Sequence, residues 1–175
     1  MADSNTNQGA MINKRGKVRW RITKPAFQTL TDGNVAKGTK TVHYIANTPG
    51  DIFGAVVHNN DRPAKTVVLV SGGTKTVVVE DYYVLGKLHR DSGPALIRRQ
   101  LFGKDAVSKI VVAEWYYKGV NLTDLLLSAK AANPHLSDLP AVKDFENTVV
   151  NWNSMAKGRI AKSYRAFVSA LGVGK

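Results

Sequence analysis

Cysteine is absent from the 175 residues. That excludes a disulfide scaffold, a thiol nucleophile, an iron–sulfur site and a cysteine-type zinc site. Acids are scarce: 13 Asp plus Glu stand against 25 Lys plus Arg, a formal net charge of +12. No apolar run reaches the roughly 18 residues of a spanning helix, so no membrane role is expected. Residues 1–16 are polar and lack the apolar stretch of a secretory leader. The four histidines, His43, His58, His89 and His135, form no H-x-x-x-H pair, and neither a G-x-S-x-G elbow nor a dinucleotide fingerprint occurs. Gly72-Gly73-Thr74-Lys75-Thr76 lacks the Gly-Lys-Ser/Thr of a phosphate loop. Asp51, Asp61, Asp81, Asp91 and Asp105 are dispersed, without the spacing of a two-metal nuclease. The expectation is a protein that is not an enzyme, with no catalytic residue, no metal ligand and no cofactor.

The chain does have enough apolar residues for one core: 43% hydrophobic against 22% charged. The pattern predicts a flexible N-terminal arm over residues 1–13 and a single globular domain over 14–175. β-branched and aromatic runs at 17–23, 39–46, 65–70, 74–84, 95–101 and 107–118 are each bounded by Gly, Pro, Asn or Asp and read as strands. Ser71-Gly72-Gly73 reads as a hairpin loop. After Gly119 the period changes. Asn121 can cap a helix over 122–132, and Asn133-Pro134 stops it. Ser137 or Asp138 ahead of Pro140 starts a last helical stretch. Val142, Phe145, Val149, Trp152, Met155, Ile160, Tyr164, Phe167 and Leu171 keep one stripe along it, with Gly158 as the break if there are two helices. The fold class is therefore α+β: an antiparallel β region of hairpin repeats over about 17–118, within a β half at 14–119, then a helical half at 120–175.

The β region repeats internally. His58 aligns with His89, Pro63 with Pro94 and Ala64 with Ala95 at an offset of 31, and Trp115-Tyr116-Tyr117-Lys118-Gly119 aligns with Tyr82 to Gly86 at an offset of 33. In the first copy Asn59 stands in the place of Arg90 and Arg62 in the place of Gly93; in the third, Leu122 stands in the place of histidine. The equivalence of His58 and His89 points to a structural role at a turn. The middle copy, through Tyr83, Gly86, Leu88, His89, Arg90, Gly93, Pro94 and Ala95, resembles the MORN-like W-Y-x-x-G-x-L-H-R-x-x-G-P-A repeat of proteins of large bacteriophages. The resemblance covers about 65 of the 175 residues. It implies β-hairpin units and a viral protein working in the cytoplasm of a bacterial host, and it implies no activity.

Positive charge gathers at the two ends. Residues 1–40 hold eight cations and two acids, and residues 155–175 hold five cations and none. In Lys17-Val18-Arg19-Trp20-Arg21-Ile22, strand alternation puts three cations on one face at a spacing of about 6.6 Å, flanked by Lys14, Arg15 and Lys24. Such a row can track a phosphate backbone, whereas an ordinary solvated face mixes signs. Lys157, Arg159, Lys162 and Arg165 form a second patch, in which Arg159, Lys162 and Arg165 are three apart and share one side of a helix, and Arg98-Arg99 a smaller third. Tyr82, Tyr83, Trp115, Tyr116 and Tyr117 are read mostly as core, with one of each tyrosine pair available for stacking. The expected function is binding of single-stranded nucleic acid, RNA ahead of DNA, through the phosphate backbone with low sequence specificity. The alternative is a structural or host-interaction phage protein whose basic surface meets an acidic protein partner or packaged DNA. Phage or host proteins and a second copy of the chain are further partners to test.

Overall fold

The computed structural model describes residues 9–12, 18–46, 55–59, 62–102 and 107–173. The fold is α+β, an antiparallel sheet followed by helices. In chain order the strands are β1 (Gly9–Ile12), β2 (Val18–Thr29), β3 (Val35–Ala46), β4 (Val56–Val57), β5 (Lys65–Ser71), β6 (Thr74–Asp81), β7 (Tyr83–Val84), β8 (Lys87–Leu88), β9 (Leu96–Phe102), β10 (Val107–Glu114), β11 (Tyr116–Tyr117) and β12 (Val120–Asn121). The main sheet runs β1-β2-β3-β5-β6-β9-β10, with β4 also on β3, while β7–β8 and β11–β12 are separate small hairpins. β1 lies inside the segment expected to be a flexible arm; its four residues pair with β2 from Gly9↔Arg21 to Ile12↔Val18.

Local chemistry accounts for the strands. Ser71 and Thr74 pair across a two-residue turn in which Gly72 and Gly73 have φ of +55° and +78°, the glycine hairpin read from the sequence. Pro25 sits within β2 opposite Thr39, but β1 covers β2 only as far as Arg21, so the missing N–H falls on an open edge among the described residues. Gly38 cannot be replaced cheaply: a Cβ there would lie 1.9 Å from the Val68 carbonyl oxygen. The sheet packs its inner side around Leu30, Ala36, Leu69, Val78 and Leu101.

The runs read as 74–84 and 107–118 each break at an aromatic residue. β6 stops at Asp81 and β10 at Glu114, and the chain pivots at Tyr82 and Trp115 into the small hairpins. Their turns match: Leu85-Gly86 have φ of +47° and +79°, and Lys118-Gly119 have +47° and +92°. Each turn is tied to the preceding unit by the same bonds. The Gly86 N–H donates to the Val57 carbonyl at 2.9 Å, and the Gly119 N–H to the Leu88 carbonyl at 2.8 Å. The Leu85 N–H donates to His58 Nδ1 at 3.1 Å, and the Lys118 N–H to His89 Nδ1 at 3.4 Å. The Ala64 and Ala95 N–H groups reach the Asp81 and Glu114 carbonyls, both at 2.8 Å. The internal repeat is thus a stack of hairpins joined twice, and the two repeat-equivalent histidines serve the turns.

Helices α1 (Leu122–Ala132), α2 (Pro140–Asn151) and α3 (Lys157–Ala170) close the end of this stack. Asn121 Oδ1 accepts from the Thr123 and Asp124 N–H groups, and α1 ends at Asn133, as its sequence predicts. α2 starts at Pro140, but neither Ser137 nor Asp138 caps it; the capping position is Leu139, which has no side-chain bond to give. The break expected at Gly158 falls earlier, across residues 152–156, where Asn, Ser and an extended Met155–Ala156 end α2; Gly158 lies in the first turn of α3. The break lets α3 pack on α2, with Phe145 and Phe167 stacked at 4.0 Å. Their core gathers on Trp115, which is 0% exposed. The Tyr164 hydroxyl donates to the Tyr116 carbonyl at 2.8 Å and so anchors α3 to the last hairpin.

Candidate nucleic-acid interface

Directly opposed residues of an antiparallel pair share a face. The β2–β3 register therefore puts Arg19, Arg21, Thr23, Pro25 and Phe27 on one face, beside His43, Thr41, Thr39 and Lys37 of β3. The 3.3 Å contact between Thr23 Oγ1 and Thr41 Oγ1 anchors this assignment. Trp20 lies on the opposite face and stacks on Tyr44, its register partner, with ring centroids 6.4 Å apart.

At the Arg19 end of β2 lies a cleft of about 660 Å³, lined by Arg19, Arg21 and His43 of this face and also by Trp20 and Tyr44. The first hairpin joint adds His58, Asn59 and Arg62 to the lining. Three guanidinium groups and two imidazoles thus line one concavity, and no carboxylate occurs among its described lining residues. Among the described residues, none of Arg19, Arg21 and Arg62 meets a carboxylate at ion-pair distance. The Arg19 Nε–H is buried and has no hydrogen-bond partner among them. Burial holds the His43 pKa below its usual value, and Arg21 and Arg19 lower it further. The neighbouring arginines thus disfavour a further positive charge on His43.

The joints explain how Arg62 comes to be there. In the second joint Arg90 lies over the Tyr82 ring at 3.8 Å and donates to the Pro94 carbonyl at 3.1 Å. Gly93, at φ +154°, lies against it: a Cβ would sit 3.1 Å from the Arg90 Cζ, so the guanidinium would have to shift to admit one. In the first joint Asn59 Nδ2 donates to the Pro63 carbonyl at 3.1 Å, the same bond from a shorter side chain. The corner is then open to a larger residue, and Arg62 stands in it, exposed.

The other expected site residues divide. Lys14, Arg15 and Lys17 lie outside the described residues. Lys24 projects from the face opposite to Arg19 and Arg21, beside Lys40, its register partner. Arg98 and Arg99 are held in structural pairs. Arg98 binds the buried Asp81, which Lys65 also meets at 3.0 Å, and Arg99 binds Glu80 at 2.5 Å. Lys157, Arg159, Lys162 and Arg165 are all exposed on α3. Arg159 reaches Asp144 of α2 at 3.1 Å. Asp144 has a lowered pKa, first from the Ser163 hydrogen bond and then from Arg159 and Lys162. Lys157 and Arg159 occupy the first turn of α3, the end where a helix dipole opposes cations.

Of the clustered aromatics, Trp115 and Tyr82 are buried, and Tyr83, Tyr116 and Tyr117 are half-buried. Two cleft residues escape sequence reasoning. His43 reaches Arg21 only through the β3 register. Arg62 left one signal, a cation where the middle copy has Gly93. Among the described residues no three His, Asp or Glu come together as metal ligands, and no helix is long and apolar enough to cross a membrane. Comparison with known proteins finds no family model, no curated protein and no solved structure that matches this chain.

Proposed function

We propose that the protein binds single-stranded nucleic acid, RNA ahead of DNA, without catalysing a reaction, and that the phosphates sit in the Arg19–Arg21–Arg62 cleft. The observation that carries this reading is the convergence of three arginines and His43 on a concavity with no carboxylate among its described lining residues. Guanidinium forks match phosphate oxygens two at a time, and His43 can take up a proton beside the anion. A cleft of about 660 Å³ has room for part of a flexible strand. The exposed cations of α3 supply a second, weaker contact. Contacts of this kind read the backbone, so sequence specificity is low. The resemblance of the middle repeat supports a phage-encoded protein acting in a bacterial host.

Fluorescence anisotropy with labelled single-stranded RNA, single-stranded DNA and duplex DNA tests this. With about three phosphates neutralised in the cleft, single-strand affinity should fall roughly 20-fold between 50 and 200 mM salt. Reversing Arg19 and Arg21 together to Glu should abolish binding while the fold persists. Equal affinity of this variant and the wild type would exclude the cleft. Failure of all three ligands at low salt would exclude the function and leave the charge to an acidic protein.

A further inference from the structure

The face that carries Arg19 and Arg21 does not end at the cleft. Along β2 it continues through Thr23 and Pro25 to Phe27, and the register extends it across β3, β5 and β6. Thr23, Thr41 and Thr66 form the row next to the cleft. Pro25, Thr39, Val68 and Val77 form the next, and Phe27, Lys37, Val70 and Lys75 the one after. This outer part is open: Phe27 is 66% exposed, Val35 51%, Val70 40% and Val77 38%. An apolar surface of this extent on a strongly charged protein asks for an occupant.

The charges choose among occupants. Lys37 and Lys75 are exposed within the patch, on either side of Val70. The carboxylate on the neighbouring row, Glu80, is already bound by Arg99. A second copy stacked face to face would set these lysines against their own images. A partner that is flat and apolar with anionic edges matches both features, and an unpaired nucleobase on its phosphate backbone has that form.

We infer that the exposed β2–β3–β5–β6 face is the base-stacking platform of the single-strand track, with Phe27 as its stacking ring and Lys37 and Lys75 as its phosphate contacts. This rests on the nucleic-acid reading of the cleft and extends it. Arg21 and Phe27 are six residues apart on one strand, about 20 Å. The track therefore needs a strand of about four or more nucleotides to engage both ends, at the lower end of known single-strand sites.

Anisotropy with a length series of single-stranded oligonucleotides, from two to ten nucleotides, separates the two levels. Phe27→Ala should lower affinity for an eight-nucleotide strand by about tenfold and leave dinucleotide binding unchanged. Because Phe27 is largely exposed, this variant keeps its fold. Lys37→Glu with Lys75→Glu should act in the same length-dependent way. Reversal at Arg19 and Arg21 should weaken every length. If that reversal abolishes binding while Phe27→Ala and the lysine pair bind the long strand like wild type, the platform is wrong and the cleft stands. If no variant changes binding, both fail. Self-association of the wild type that Phe27→Ala removes, with affinity for the long strand unchanged, would assign the face to a second copy and overturn the platform.

Discussion

The first and second hairpin joints share their backbone plan and differ in the corner. In both, a histidine Nδ1 and one carbonyl accept N–H groups of the next unit, and an alanine N–H donates back to a carbonyl of that unit. In the second, Arg90 fills the corner, stacks on Tyr82 and packs against Gly93. Next to it Trp115 anchors the helical core. In the first, Asn59 makes the equivalent bond with less bulk, and Arg62 lines a cleft instead of closing one. The difference teaches that one arginine per joint can either lock the stack or line an open cleft, according to which corner position it holds. On this account the second joint carries stability and the first carries binding.

Substitutions can break that division. The largest effect is expected at Trp115→Ala, which empties the centre of the helical cluster and should lower unfolding free energy by about 3–5 kcal/mol in urea titrations. Next come the reciprocal corner exchanges. Gly93→Arg puts a side chain at φ +154° against the Arg90 guanidinium and should cost about 2 kcal/mol or more, with single-strand affinity unchanged where the protein is folded. Arg62→Gly should do the converse. Stability should stay within about 0.5 kcal/mol, while affinity drops several-fold and the slope of log K against log salt becomes shallower by about 0.7. Equal stability losses from the two exchanges would erase the distinction.

The smallest effect is in the pH dependence. Burial lowers the His89 pKa below the usual 6.5, ahead of the opposing Asp91 and the reinforcing Lys118. A folded pKa below the unfolded one gives stability that is present above pH 6.5 and lost as pH falls below it toward the folded value. Protonation also makes Nδ1 a donor where it now accepts from the Lys118 N–H. Thermal stability should fall between roughly pH 7 and 5, and His89→Asn, which keeps an acceptor without a titrating ring, should flatten that fall. An unchanged profile in His89→Asn would remove His89 from the cause.

The α+β layout was legible because strand composition and helix caps are local signals. Asn121 capping α1 and Gly72-Gly73 turning β5 into β6 each act within a few residues. The repeat was legible too, since a shared offset needs no structure to detect. What the sequence left hidden depends on contacts between distant segments. Arg98 and Arg99 look like a basic site until β6 brings Asp81 and Glu80 beside them. Lys24 belongs to the cationic run in the chain but faces away from it in the ribbon. His43 and Arg62 join Arg19 and Arg21 only when β3 and the first joint fold onto β2.

The most direct test is anisotropy of a labelled single-stranded RNA against wild type and Arg62→Gly, at 50 and 200 mM salt, with both unfolding curves measured alongside. The account predicts equal stability, weaker binding and a shallower salt slope in Arg62→Gly. Identical affinity and slope in the two proteins would contradict it and show that the first joint is only a joint.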